Sequence, residues 1–264
     1  AGSMIFSSCE TPLDIEYLDF VPYPVVSFHG ETDTTVDMRL TYSRWFLSEG
    51  DFVVVNNATA NLTVNGTEKF PGTFDATAGR YSFGSYIPQP GDNVMLSVDI
   101  PDRETLGASC AVPSKPQTTA LSIDTVSVYV DEYYSYIATQ VEFVLHDNPD
   151  EENYYMLELF SENPNNGYNW WLTWFDIDDI ALVDPMDLES VVEGDYMVST
   201  NRFFFSDHSI NGESHKIKML ATNHYDPYYH RLNVKLTGIT KDEYLYYVSL
   251  YRQRDSDDIF SEPV

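Results

Sequence analysis

Alternation of apolar and polar positions is the dominant rhythm of this chain. It is clearest around a polar break, Asp147-Asn148-Pro149-Asp150-Glu151-Glu152-Asn153. Val141, Phe143 and Leu145 alternate before the break, and Tyr155, Leu157 and Leu159 alternate after it. A period of two is the signature of a strand, and Pro, Asn and Asp mark a turn. Residues 141–160 therefore read as a β-hairpin with an acidic tip. Tyr154, Met156 and Phe160 load the second face as well, so the hairpin is expected to be covered on both sides, as in the core of a sandwich.

The same rhythm recurs elsewhere. In the first half the predicted strands are 15–20, 25–29, 36–43, 52–55, 60–64, 81–86, 94–100 and 106–112. Asn65-Gly66, between Leu62-Thr63-Val64 and Glu68-Lys69-Phe70, is the strongest two-residue hairpin signal. In the second half, 123–130, 203–205, 216–222 and 231–238 follow the same pattern, while 176–195 is acidic, weakly patterned and read as a surface excursion. The rhythm changes after Ile239. Thr240 with Glu243 forms a capping box, and Leu245, Val248 and Tyr251/Arg252 recur at helical spacing, so a helix is predicted over 241–252. Val112-Pro113-Ser114-Lys115-Pro116-Gln117-Thr118-Thr119 has linker composition. The expected fold is all-β: two β-sandwich domains of Ig-like or transthyretin-like kind, with one late helix packed on the second. The N-terminal sandwich is placed at 13–114 and the C-terminal β-rich domain at 118–264, with its helix near 240–252. Residues 1–12 are assigned to a signal remnant and tether.

Composition sharpens this picture. Twenty Tyr and 15 Phe among 264 residues suit half-buried pleated surfaces and a sizeable core. Forty-two acidic residues against 14 basic ones give a formal net charge of −28, which argues against nucleic acid as a partner. No Cys-x-x-Cys, His-Glu-x-x-His, Gly-x-Ser-x-Gly or phosphate loop is present, so no enzyme activity, cofactor or metal is expected. Asn57, Asn61 and Asn65 each head an Asn-x-Thr sequon and are read as ordinary strand and turn residues.

Ile5-Phe6-Ser7-Ser8-Cys9 has the look of the end of a bacterial lipoprotein signal, with Phe at a position usually small or aliphatic. On that reading Cys9 carries the lipid, and the protein meets the membrane through this anchor alone. Cys110, in Gly107-Ala108-Ser109-Cys110-Ala111, is expected to be a buried thiol rather than a disulfide partner of Cys9. No stretch approaches the roughly 20 apolar residues of a membrane span.

The candidate ligand-binding residues are aromatic. Tyr168, Trp170, Trp171 and Trp174 follow an Asn/Gly-rich loop, and Tyr225, Tyr228 and Tyr229 are their candidate companions. Exposed Trp and Tyr rings stack on sugars and cover peptides, whereas the same run in a sandwich interior is core. The acidic groups Asp147, Asp150, Glu151, Glu152 and Asp176, Asp178, Asp179, Asp184 lack the order of a calcium loop and are read as solvated. His29, His146, His208, His215, His224 and His230 are read as turn or surface residues.

Several of these features, in this order, resemble the Bacteroidetes lipoprotein family catalogued as domain-of-unknown-function family 4249. They are Cys9-Glu10, Asn57-Ala58-Thr59, Tyr81, Pro90-Gly91 leading to Val112-Pro113, Asp147 with Asn153-Tyr154-Tyr155, Phe205-Ser206-Asp207 with Gly212, Glu243-Tyr244, and Phe260-Ser261-Glu262-Pro263-Val264. Val94 and His208-Ser209-Ile210 depart from the family pattern, and relatives usually continue past the equivalent of Val264. The resemblance implies a surface-exposed lipoprotein of the outer membrane, often encoded beside a TonB-dependent transporter, and carries over no catalytic residue. The leading expectation is non-enzymatic capture of a glycan or peptide ligand for that outer-membrane transporter. A structural or adhesive surface protein and a hydrolase with an unfamiliar site are the alternatives.

Overall fold

The computed structural model describes residues 20–45, 48–129, 135–162, 170–172, 174–183, 198–221 and 231–255. They form a mostly-β protein of four antiparallel sheets and one late helix. The chain divides into two compact units. The first takes described residues up to Thr63 with Thr67–Pro88 and Leu96–Ala108; the second takes Val64–Gly66, Gln89–Met95 and described residues from Ser109 onward.

Eight strands belong to the first half of the chain: β1 (Pro24–His29), β2 (Asp37–Tyr42), β3 (Thr59–Val64), β4 (Glu68–Pro71), β5 (Thr73–Asp75), β6 (Arg80–Ser82), β7 (Asn93–Asp99) and β8 (Leu106–Ala111). They pair in the orders β1-β2-β6-β5 and β4-β3-β7-β8. Each sheet buries one row of its alternating residues: Met38 and Leu40 on β2, Ala60 and Leu62 on β3, Leu96 and Val98 on β7. Tyr81 is buried with its hydroxyl satisfied twice, donating to Val55 O and accepting from Ala58 N, both at 3.0 Å. Asn65 and Gly66 take positive φ angles of 51° and 71°, so the predicted turn has the primed geometry that matches strand twist. Residues 52–55 contribute an isolated bridge, Thr41 to Val54, instead of the expected strand. Cys110 is exposed and unpaired, contrary to the expected buried thiol, because both faces of β8 are uncovered from Gly107 to Ala111. Cys9 lies outside the described residues, as does nearly all of 15–20.

The second unit holds β9 (Gln117–Tyr129), β10 (Ser135–His146), β11 (Tyr154–Glu162), β12 (Trp170–Leu172), β13 (Phe175–Ile177), β14 (Val198–Thr200), β15 (Arg202–Ser206), β16 (Ser214–Ala221) and β17 (Arg231–Ile239). One sheet runs β14-β13-β16-β10-β9. In the other, β17 pairs with β11 along its full length. β15 and β12 divide the opposite edge, meeting residues 154–158 and 160–162. The two sheets close on one core. Val141, Phe143, Leu145, Phe175, Ile217 and Met219 come from the first sheet, and Tyr155, Leu157, Leu159, Phe203 and Phe205 from the second. Leu182, in a short 3₁₀ turn within the expected surface excursion, joins them.

The alternation around 141–160 is therefore right and the hairpin is not. β10 and β11 pair with other strands and face each other across the sandwich, joined by an arch. The seven-residue polar break is too long to dictate a two-residue turn, and large residues on both faces of β11 need two coverings. The core covers one face. The other is covered by α1 (Lys241–Asp255), which begins as predicted, with Thr240 Oγ1 accepting from Glu243 N at 3.1 Å. Its packed face is rotated from the expected one. Tyr244 lies against Tyr154 with ring centroids 5.0 Å apart, Tyr247 stacks on Phe204 at 4.6 Å, and Leu245 is exposed. The aromatic rings of β11 and β15 select tyrosines in place of Leu245.

Glu158 is on the same face of β11 as Tyr154 and Met156. Its buried carboxylate accepts from Arg202 Nε at 2.8 Å, and Lys235 stands opposite in register. The 112–116 segment is held against this unit: Ser114 Oγ donates to Glu151 Oε2 at 2.8 Å, and Ser114 O lies where a Cβ on Gly238 would come within 2.6 Å. Gly238→Ala should cost about 1–3 kcal/mol through that clash with backbone, read as a lower denaturant midpoint at unchanged slope. Arg202→Met, which removes the guanidinium donor from the buried Glu158 carboxylate, should cost about 2 kcal/mol, against a smaller loss for the Arg202→Met/Glu158→Leu pair.

Candidate functional site

Two ends of the second sandwich carry the residues singled out in the sequence. At one end, Glu162 pairs with both Trp170 and Arg231, and two residues carry the chain from Leu172 to Phe175, which pairs with Ala221. Segments 163–169 and 222–230 are thus flanked by strand residues of the same end. Tyr168, Tyr225, Tyr228 and Tyr229 lie within those segments and outside the described residues. Trp170 and Trp171 are on β12, opposite Glu162 and Ser161. Trp174, in the crossing to the other sheet, is 52% exposed.

A further feature stands at the same end. β9 and β10 continue past the Thr139–Ala221 pair as a two-stranded overhang reaching Tyr129–Ser135. Tyr129 and Ile137 share one face of it, continuing the row of Val141, and are 78% and 67% exposed. Tyr129, Ile137 and Trp174 are thus exposed large apolar residues at this end of the sandwich. The available signal was strand length: a Val- and Tyr-rich pair of strands longer than its partners must overhang them.

The opposite end holds a polar clamp. Asp147 and Asp207 are 8% and 3% exposed. Asp147 accepts from Tyr155 OH at 2.5 Å and from Gly212 N at 2.9 Å. Asp207 Oδ2 accepts from Asn153 N at 2.7 Å, and Asp207 N donates to Asn153 O at 3.0 Å. The expected solvated tip holds for Asp150, Glu151 and Glu152 but not for Asp147. The sequence contained the reason: position 147 is in phase with the inward row 141, 143, 145, and position 207 is in phase with 203 and 205. Burial pushes the Tyr155 hydroxyl pKa far up, with the Asp147 hydrogen bond adding to it. Burial likewise raises Asp207. The Asn153 N–H offsets part of that shift, and the neighbouring carboxylates Asp147 and Glu152 add to it. Locked by backbone donors and a neutral phenol, these carboxylates tie the arch to the β15–β16 connection.

The remaining candidates act locally. Asp179 accepts from Ala181 N and meets His215 Nε2 at 2.7 Å, and His146 lies between Thr119 and Ser214 hydroxyls at 2.7 and 2.8 Å. His208 is exposed, His29 is 3.8 Å from Glu31, and His224, His230 and Asp184 lie outside the described residues. Among the described residues no group of three or more His, Cys, Asp or Glu is arranged to hold a metal ion. No helix among them is long and apolar enough to cross a membrane.

Fold and ends together define a mostly-β protein with a sandwich that has exposed Tyr129, Ile137 and Trp174 at one end and is clamped at the other. The chain belongs to a family described as Domain of unknown function (DUF4249), whose sequence model matches residues 10–264. No curated protein and no solved structure matches it.

The raised Asp207 pKa has a definite consequence. Its carboxyl binds a proton more tightly folded than unfolded, so its contribution to stability is fully present below the ordinary carboxyl value and lost as pH rises through the folded value. Asp207→Asn keeps an acceptor for Asn153 N and removes the titration. The difference in unfolding free energy between the two proteins should shift in favour of the variant as pH rises above about 4, measured by urea titration at stepped pH. A difference independent of pH would contradict the assignment.

Proposed function

We propose that this protein is a non-enzymatic, surface-exposed lipoprotein of the outer membrane that captures a ligand for a TonB-dependent transporter. The observation that carries the capture reading is the exposed apolar end of the second sandwich: Tyr129, Ile137 and Trp174 beside the strand residues that flank the aromatic segments. Stacking on such rings accepts a glycan or an apolar peptide side chain and needs no proton transfer or cofactor. A lipid on Cys9 would tether the protein at the membrane. Support for the anchor is the sequence Ile5-Phe6-Ser7-Ser8-Cys9.

Tryptophan emission tests the capture reading. Titration with glycans, peptides and Ca²⁺ should give a saturable shift with one class, and Trp174→Ala or Tyr129→Ala should weaken binding by about tenfold, the loss of one good stacking contact, with unfolding midpoints unchanged. Emission unaffected by every class would remove the basis for capture and favour a structural or adhesive surface role.

A further inference from the structure

The edge of the five-stranded sheet is a second surface with recognisable chemistry. β9 pairs with β10 on one side, and no described strand pairs with its other side. A strand so placed presents a row of N–H and C=O groups to solvent, and natural edges this long are usually blocked by proline, lysine, inward charge or a very short length. β9 has thirteen residues, Gln117-Thr118-Thr119-Ala120-Leu121-Ser122-Ile123-Asp124-Thr125-Val126-Ser127-Val128-Tyr129, without proline or lysine. A bulge at Ala120, with φ of 55°, breaks its register near one end and leaves Ser122 to Tyr129 regular.

The side chains of this edge differ by face. Ile123 and Tyr129 share a face with Ile137 of β10 and are exposed, with Thr125 and Ser127 between them on the strand. The other face carries Asp124, the only charge on the strand, followed by half-buried Val126 and Val128. The whole chain adds a net charge of −28, which repels a second copy of itself and attracts cationic segments.

We infer that β9 docks an extended peptide segment of alternating apolar and basic residues by adding it as a sixth strand. Main-chain hydrogen bonds to the open edge supply affinity, and the period of two sends apolar residues onto the Ile123/Tyr129 row and lysine or arginine to the side of Asp124. The strand site shares Tyr129 with the end proposed for capture, and protection of the backbone across 122–129 is what separates strand addition from stacking on that ring.

The test uses the full chain and two synthetic peptides, one alternating valine and lysine, the other valine and glutamate. Hydrogen exchange across 122–129 should slow with the valine–lysine peptide, and its affinity should exceed that of the valine–glutamate peptide by tenfold or more at low salt. Thr125→Pro and Val126→Pro divide the edge further, since neighbouring N–H groups on an edge strand point to opposite sides. The variant whose lost N–H faced outward should keep its unfolding midpoint and lose peptide binding. Where either variant fails to fold, Asp124→Lys, which reverses the strand's charge, should lower affinity for the valine–lysine peptide and raise it for its counterpart. Unchanged exchange over 122–129, or equal affinity for the two peptides, overturns the proposal. So does concentration-dependent protection of β9 in the protein alone, which would make a second copy the occupant.

Discussion

Asp147 and Asp207 sit buried where the chain crosses from one sheet of the second sandwich to the other. Moving a carboxylate out of water costs several kcal/mol unless donors replace the lost hydration. Here the donors are Tyr155 OH, Gly212 N and Asn153 N, drawn from both sides of the arch and from the connection between β15 and β16. That demand fixes the crossing. With 147 tied to 155 and 212, and 153 tied to 207, the inward rows of β10 and β11 are brought face to face, and the core of Phe143, Leu157, Phe205 and Met219 closes between them. An apolar pair at these positions would fill the same space without specifying which connection it joins.

The features through which the chain resembles its family meet in pairs throughout the structure. Ala58 N binds the Tyr81 hydroxyl, Gly91 N binds Val112 O, Asn153 joins Asp207, Asp147 joins Tyr155 and Gly212, and Tyr154 lies on Tyr244. Each pair joins segments that are separate in the chain. These residues are thus largely joints of the fold.

Strand periodicity made the fold legible because burial repeats every second residue, and Thr240 made the helix start legible because its cap is a local interaction. Pairing was not legible in the same way. Nothing in 141–160 distinguishes two strands side by side from two strands face to face, since both bury Val141 and Leu157. The helix face misread for a related reason: Leu245 fits a helical spacing as well as Tyr244 does, and the choice is made by Tyr154 and Phe204 on strands distant in sequence. The buried aspartates were legible in principle through their phase, but acidity masked it. Of the candidate aromatic site, Trp174 was named from sequence, while Tyr129 and Ile137 emerge from the overhang of one sheet past its partner.

The dependence of β11 on β17 also sets an order of events in time. Residues 154–162 are complete long before 231–239 leave the ribosome, and those later residues occupy one whole edge of the strand. α1, which follows directly, covers the apolar rings of Tyr154 and Phe204. Until then the growing polypeptide exposes an apolar strand with an open edge, the condition under which nascent chains stick to one another. Closure through such sequence-distant pairings is slow, so the second sandwich is expected to close only once residues 231–239 have emerged.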